Sequence, residues 1–597
     1  MSARTRPPEV VRLPGGYLAD DGASWRRARR YAVPRWMIER ATGLRLAGDW
    51  RAACAVAAVD VTFAPSDLAD RYGPAVAEAV EDDLRHLAPD LVRWHLPRTL
   101  GGRSTLLPGV RVLFARYGSG ATAPVLSATT GAMVDGPQRL RLHCAPVPAR
   151  EDEDLYTFTD GFRVENWIAA RPLWDGRRTA ELRDRLTGGA GRLPFFAPDG
   201  TQLSGPDLPD ADPGTDDPAA RAEWVALLHA REDVAEAYAA AGLERDLTVP
   251  ESPRRYRQAP GPEAVTASTL VDLTRLEAEV RLLQAAGEGD RFRVVVRGTG
   301  NIVAEPTGSR GLRVSTLHWQ EARQLPRLPE FAWSRPVDLD LVRSGRIAPQ
   351  ELHPLVAAAL FPAAGPAVGP PGPTLPAPVR VRCRGEWHEV CSRGGELDLL
   401  QHGAAEQQRE RAMRAFGGAV SGCFAVQHHW TSGEGRLPRA LKEERRELFL
   451  RAQHGDTPGV TALLDAGTDP RVRDRRGYTL LHVLNLLEHD ELLPRLLAAG
   501  LDPDVTTGPG GLTPLQVAVR FGGSVALVNA LLAAGSRIDV IDEADLSLAQ
   551  LVRRYRRTDL SFLRTRVEEE FPGIGADWYD EWMDEREDDE GYEEDDE

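Results

Sequence analysis

Three of the five cysteines of this 597-residue chain lie in one short segment, close to several histidines. The pattern Cys-x4-His occurs there twice, from Cys383 to His388 and from Cys423 to His428. A zinc ion takes four nitrogen or sulfur ligands in a tetrahedron. The residues of this segment that could supply such ligands are Cys383, His388, Cys391, Cys423 and His428.

The sequence favours a plainer interpretation of the same residues. The segment lacks the Cys-x-x-Cys pairs of standard zinc sites. Cys383 also lies in an alternating, strand-like run, where a small buried thiol is common. We therefore expect cysteines in the core, histidines at the surface and no cofactor, with zinc at these residues as the alternative.

Familiar catalytic patterns are absent from the sequence. It contains neither a Gly-x-Ser-x-Gly nucleophile pattern nor a His-Glu-x-x-His metal pattern. Lys442, the one lysine among 73 basic residues, follows a leucine. A phosphate-binding loop requires its lysine after a glycine. We expect no catalytic and no cofactor-binding residues, and the sequence favours a protein that is not an enzyme.

The formal charge of −16 is concentrated at the C-terminus. Residues 577–597 carry fourteen acidic residues and one arginine, a net −13, so the rest of the chain carries only −3. This nearly neutral body disfavours nucleic-acid binding. The longest apolar run falls well short of the ~20 residues that span a bilayer, and five cysteines do not indicate a disulfide scaffold. We expect a soluble cytoplasmic protein without membrane contact.

Composition and periodicity divide the chain into several predicted regions. A helical hairpin followed by alternating, strand-like runs predicts an α+β domain over 1–204, and the Pro-, Asp- and Gly-rich residues 205–218 predict a linker. A second α+β domain is expected over 219–361 and a proline-rich linker over 362–378. A small α+β block over 379–440 completes this multidomain part of the chain.

After residue 445 the sequence becomes periodic. Leu-Leu-x-Ala-Gly recurs with its glycines 33 and 35 residues apart, and a second pattern, Gly-x-Thr-x-Leu, precedes the later copies. The residues that define the repeat are Gly467, Gly477, Thr479, Leu481, His482, Gly500, Gly511, Thr513, Pro514, Leu515 and Gly535.

This double periodicity resembles the ankyrin repeat, a unit of about 33 residues made of a β-turn and two helices. Thr513, Pro514 and Leu515 match the family's Thr-Pro-Leu-His box, and His482 matches its histidine, which Gln516 replaces in the next copy. The resemblance covers about 110 residues, with two good repeats between two degenerate caps.

The resemblance implies an α-helical ankyrin solenoid with caps over 441–570, followed by a disordered acidic tail over 571–597. Such a module is expected to present a concave face and finger loops to another protein, and the acidic tail could itself contact the stack. We therefore expect an adaptor protein that acts through protein–protein interaction. The alternative is an enzyme of unknown reaction in residues 1–365, targeted or regulated by the ankyrin stack. The expected partner-binding residues are Arg471, Arg473, Arg475, Arg476, Asp502, Asp504, Arg537 and Asp539.

Overall fold

The computed structural model describes residues 19–147, 163–189, 191–249, 261–268, 272–296, 300–418, 420–508, 511–579 and 583. The chain divides into two units. Unit 1 comprises Met1–Ala132 and Arg139–Pro371, and unit 2 comprises Met133–Gln138 and Gly372–Glu597. The division falls within the proline-rich run 362–378. In the part of the chain that the structure describes, every helix is too short or too polar to cross a membrane.

Unit 1 combines helices with two mixed sheets, in agreement with the predicted α+β class. Its described strands are β1 (Val59–Val61), β2 (Val110–Arg116), β3 (Val125–Thr130), β4 (Leu140–Ala145), β5 (Arg163–Asn166), β6 (Leu243–Arg245), β7 (Phe292–Val296), β8 (Gly300–Pro306) and β9 (Leu312–Thr316). Its described α-helices are α1 (Ala19–Tyr31), α2 (Arg35–Leu46), α3 (Trp50–Val56), α4 (Pro65–Tyr72), α5 (Pro74–His86), α6 (Pro89–His95), α7 (Glu181–Thr187), α8 (Pro218–Ala230), α9 (Val234–Ala240), α10 (Pro262–Ser268), α11 (Leu273–Ala285), α12 (Trp319–Ala322), α13 (Glu330–Trp333), α14 (Val337–Arg343) and α15 (Pro354–Leu360).

Each sheet of unit 1 covers a hydrophobic core of its own. The first sheet has the order β1-β4-β3-β2-β5, with β1 and β5 added in parallel at the edges of an antiparallel centre. The second has the order β6-β9-β8-β7, with only β6 and β9 parallel. Burial alternates along β4 and β9 because successive side chains of a strand point to opposite faces. Trp174 belongs to the first core and Phe292 to the second.

Unit 2 begins with a small sheet and two helices, called here the block (residues 379–432). Strands β10 (Val379–Cys383), β11 (Glu386–Arg393) and β12 (Glu396–Leu399) form an antiparallel sheet. Helices α16 (Ala404–Ala415) and α17 (Gly422–Ser432) follow.

Four successive helix pairs follow the block and are called here the repeat region (residues 439–570). Their helices are α18 (Arg439–Gln453) with α19 (Thr457–Asp465), a 3₁₀ helix (Leu480–Leu486) with α20 (His489–Ala498), α21 (Pro514–Arg520) with α22 (Val525–Ala533), and α23 (Leu548–Arg554) with α24 (Ser561–Glu570).

One continuous hydrophobic cluster extends through the block and the repeat region, from Val381 to Tyr579. The sequence predicts that residues 571–579 belong to the disordered tail. The structure instead packs Ala576 and Tyr579 into this core, because both side chains are apolar enough to bury against α23 and α24. The remaining acidic residues, 580–582 and 584–597, lie outside the described residues.

Candidate functional site

The first helix of three of the pairs begins with the same reciprocal hydrogen bonds. The Thr513 backbone N–H donates to Gln516 Oε1 at 2.9 Å, and the Gln516 N–H donates to Thr513 Oγ1 at 3.3 Å. Ser547 and Gln550 repeat this arrangement. In the earlier pair the Thr479 N–H donates to Nδ1 of His482. The threonine or serine thus caps the helix, and the residue three positions later satisfies the capping residue's own N–H.

The same third residue also connects its pair to the segment that follows, which is the next pair for His482 and the residues after α24 for Gln550. With its Nδ1 accepting from Thr479, His482 donates from Nε2 to the carbonyl oxygen of Leu512, 3.0 Å away and 30 residues later. Gln550 donates to the Ala576 carbonyl oxygen and accepts from the Ala576 N–H. Burial lowers the pKa of His482 to about 4, so its imidazole is neutral at pH 7.

The recurring glycines occupy positions that other residues would strain. Gly467, Gly500 and Gly535 follow the second helix of a pair with φ of +102°, +82° and +95°. In this left-handed region a helix ends readily with glycine. Gly477 adds a close approach, since a Cβ atom there would overlap the carbonyl oxygen of Thr507.

Two arginines predicted to bind a partner are already engaged in the first finger loop, between α19 and the 3₁₀ helix. Arg471 pairs with Asp469 at 2.9 Å and with Glu396 at 3.2 Å. Arg473 donates to the carbonyl oxygens of Gly477 and Thr506 and so connects the first loop to the second.

The predicted residues of the later loops also contact one another. The Arg537 N–H donates to Asp504 at 2.9 Å, and the Arg537 side chain pairs with Asp539 at 2.7 Å. Asp502 accepts the Asp504 N–H. These contacts hold the loops in place. They also occupy hydrogen-bonding groups of these four residues that a partner would otherwise contact.

Arg475 and Arg476 differ from the other six predicted residues. Both side chains are exposed, and within the described residues neither side chain makes a hydrogen bond or an ion pair, although the Arg476 backbone N–H donates to Asp474 at 2.7 Å. They place two unpaired positive charges at the turn of the first finger loop. Of the eight predicted residues, these two therefore present the most accessible side-chain charges.

The block brings four potential metal ligands together. One ligand atom from each of Cys383, His388, His402 and Cys423 lies within 4.8 Å of all the others. Nδ1 of His388 is 2.8 Å from Nε2 of His402. The two cysteines and His402 are buried, and His388 is about 17% exposed.

Three of the five predicted metal ligands are in this group, and Cys391 and His428 are not. His388 pairs across the sheet with Val381, so it shares a face with Cys383, two residues along β10. Cys391 is an odd number of residues from His388 on β11 and points to the opposite face. His428 lies five residues after Cys423 on α17, about 140° around the helix axis.

His402 is the member of this group of potential ligands that sequence reasoning missed. It lies in the loop between β12 and α16, outside any Cys-x4-His pattern. Its Nδ1 is 3.0 Å from Oε2 of Glu406, whose other oxygen accepts from Arg384 at 2.8 Å. The hydrogen bond with His402 lowers the pKa of the Glu406 carboxyl. A histidine followed four residues later by a glutamate, on the turn into a helix, is the one weak signal for this arrangement.

Two further features show how closely the block is packed around these ligands. Burial, together with the neighbouring Cys383 thiol, raises the pKa of Cys423 to about 12. Gly422 has a φ of +59°, and a Cβ atom there would be 2.5 Å from the Cys383 sulfur. Glycine is therefore required where α17 approaches β10.

Unit 1 also contains a cleft lined by polar residues. The Tyr117 hydroxyl donates to Asp83 at 2.8 Å, and Arg171 donates to the same carboxylate at 2.8 Å. Burial and the Asp83 charge raise the pKa of Tyr117. Since these groups satisfy one another, the arrangement favours a structural ion-pair network over a catalytic group.

Residues 448–542 match the family model of ankyrin repeats in three copies. The predicted recognition is thus confirmed, and this segment of the chain consists of ankyrin repeats. The match includes most of the first helix pair, which the sequence analysis treated as a degenerate cap. An ankyrin and IPT/TIG repeat-containing protein of Schizosaccharomyces pombe is 38% identical over 73 residues. That alignment covers 12% of this chain and 6% of the yeast protein, so the chain spans only a small part of this relative's length.

Proposed function

We propose that this protein is an adaptor that binds another protein through its ankyrin repeats. Ankyrin repeats generally mediate protein–protein interaction, and three copies match residues 448–542. The proposal places the contact on the finger loops and the adjoining concave face of the stack. The five cysteines are free thiols, which supports a reducing compartment such as the cytoplasm.

The first finger loop carries the observation on which the proposal rests. Arg475 and Arg476 are exposed there, while most of the other predicted contact residues are paired within the loops. Arginine is enriched at interfaces because its fork of donors matches carboxylates. The partner surface that fits is therefore acidic.

The acidic residues at the C-terminus of the chain are a second candidate for binding to the same surface. Residues 584–597 contain eleven acidic side chains and one arginine. If they bind Arg475 and Arg476, they compete with an external partner, and removing them strengthens its binding. If they do not, their removal leaves binding unchanged.

Capture from lysate of the native host tests the proposal with the full-length chain as bait. We expect a defined protein to bind the wild type and to be lost from the double variant Arg475→Glu/Arg476→Glu. The matched control is Arg564→Glu/Arg566→Glu, which makes the same charge change on exposed residues of α24. A chain ending at residue 583 tests competition by the acidic residues. Recovery of the same proteins with both double variants would exclude the finger loop as the binding surface.

A further inference from the structure

We infer that the block binds one zinc ion through Cys383, His388, His402 and Cys423. The four residues come from the end of β10, from β11, from the loop after β12 and from the first turn of α17. A zinc ion would thereby connect the three strands and α17. Helix α16 supplies no ligand, but it begins just after His402. This inference is independent of the proposed partner-binding function.

The distances suit a tetrahedral ion. Zinc–nitrogen bonds of about 2.0 Å and zinc–sulfur bonds of about 2.3 Å place tetrahedral ligand atoms roughly 3.3–3.8 Å apart. The four ligand atoms already lie within 4.8 Å of one another, and the two imidazole nitrogens are 2.8 Å apart. Movements of about 1 Å or less would complete the coordination shell.

The chemistry of the ligands selects the metal and its role. Two thiolates and two imidazoles suit zinc, whereas magnesium and calcium prefer oxygen ligands. Because four protein ligands converge and three of them are buried, no open position remains for a substrate. The site is therefore structural rather than catalytic.

A hydrogen-bonded carboxylate supports the metal-binding orientation of His402. Its Nδ1 faces Glu406, so Nε2 is the nitrogen directed towards His388 and the two sulfur atoms. Histidine ligands of metals commonly donate their other ring N–H to a carboxylate, which fixes the tautomer and ring orientation. Arg384 holds Glu406 in turn and also pairs with Glu410. Glu406 is thus a positioning residue for the ligand His402.

The zinc site would stabilise the start of the repeat region. The block shares its hydrophobic cluster with α18 and α19, and Trp430 of α17 accepts a backbone hydrogen bond from Arg473 in the first finger loop. Metal bound in the block is therefore expected to raise the unfolding temperature of the helix pairs that pack against it.

Metal analysis of the full-length chain tests the inference, using protein produced in zinc-containing medium and purified without a metal-binding tag under reducing conditions. We expect about one zinc ion per chain in the wild type and nearly none in Cys423→Ser or His402→Gln. The matched controls carry the same substitutions at residues outside the group, Cys391→Ser and His428→Gln, and should keep the metal. Wild-type protein without stoichiometric zinc, or equal zinc in all five proteins, would overturn the assignment.

A second measurement does not depend on variants that could fail to fold. After zinc removal by a chelator, cobalt(II) titrated into the wild type should give the absorption of a tetrahedral ion with two thiolate ligands, with one ion bound per chain. A chain whose Cys383 and Cys423 are instead found joined in a disulfide, and which binds no cobalt after reduction, would contradict the proposal.

The role of Glu406 is tested by Glu406→Ala, with Glu410→Ala as the control because Glu410 contacts Arg384 but not His402. Loss of such a supporting carboxylate typically weakens metal binding by about 10–100-fold. We expect zinc affinity to fall by this amount in Glu406→Ala and to stay unchanged in Glu410→Ala. Equal affinities of the two variants would show that Glu406 does not position the ligand.

Discussion

The two parts of unit 2 satisfy their buried polar groups over different distances along the chain. In the repeat region most of the partners are local or about one repeat away; Asn485, which donates to the carbonyl oxygen of Asp135, is an exception. Arg451 pairs with Glu447 and Asp456, four and five residues from it. His482 contacts Leu512, 30 residues on. The same pattern of contacts therefore recurs from one helix pair to the next.

In the block the buried polar side chains meet one another instead. Cys383, His388, His402 and Cys423 are separated by unequal intervals and converge only when the sheet packs against α17. The repeat region is thus stabilised by contacts between neighbouring helix pairs, as repeat proteins generally are. The block instead depends on residues that are distant along the chain and meet in one place.

The largest expected effect tests the local contacts of the first helix pair. Arg451→Met leaves the buried carboxylates of Glu447 and Asp456 without their cation, which costs about 3–5 kcal/mol of unfolding free energy. Denaturant unfolding of the full chain measures this loss of unfolding free energy. Arg446→Met, at an exposed position of the same helix, should change stability little. Similar losses for both variants would contradict the assigned role of Arg451.

A matched glycine pair compares the two parts of unit 2 directly. Gly422→Ala and Gly500→Ala both impose a left-handed conformation on alanine, at about 1–2 kcal/mol. Only at Gly422 does the new methyl group meet another residue, Cys383, so overpacking adds about 1–3 kcal/mol there. Denaturant unfolding should show the larger loss for Gly422→Ala. A larger loss for Gly500→Ala would contradict the close approach of Gly422 to Cys383.

Gln516 and Gln550, which occupy equivalent positions in two successive helix pairs, should contribute differently to the unfolding free energy. Gln550→Ala removes hydrogen bonds to both backbone groups of buried Ala576, at about 2–3 kcal/mol. Gln516→Ala should cost about 1 kcal/mol, because within the described residues its side-chain nitrogen has no partner to lose. Thermal unfolding of both variants compares their losses of stability. Equal losses would show that the contact with residue 576 adds nothing to the helix cap.

The last expected effect is a dependence on pH. The pKa of His482 is about 4 in the folded chain and about 6.5 when exposed, so the folded state disfavours protonation. The stabilisation is fully present above pH 6.5 and is lost as the pH falls towards 4. Between pH 7 and pH 5 the unfolding free energy should fall by about 2 kcal/mol more in the wild type than in His482→Gln. Parallel pH profiles of the two proteins would contradict a neutral, buried His482.

Sequence reasoning found the repeats because their contacts recur at one spacing. It found Cys383, His388 and Cys423, but it chose Cys391 and His428 by spacing alone. The direction of a side chain on a strand or helix excludes those two. His402 had no recurring partner in the sequence, and only the weak signal of a glutamate four residues later, Glu406, marked it.

The sequence by itself determined the ankyrin repeats, since each glycine, cap and leucine acts on a neighbour at a fixed interval. It also determined the α+β character of the preceding region through the periodicity of its apolar residues. Only the tertiary structure decided which cysteines and histidines meet, which finger-loop arginines remain unpaired, and that residues 571–579 pack on the last helix pair. Those outcomes depend on contacts between distant residues, whose spacing along the chain carries no regular signal.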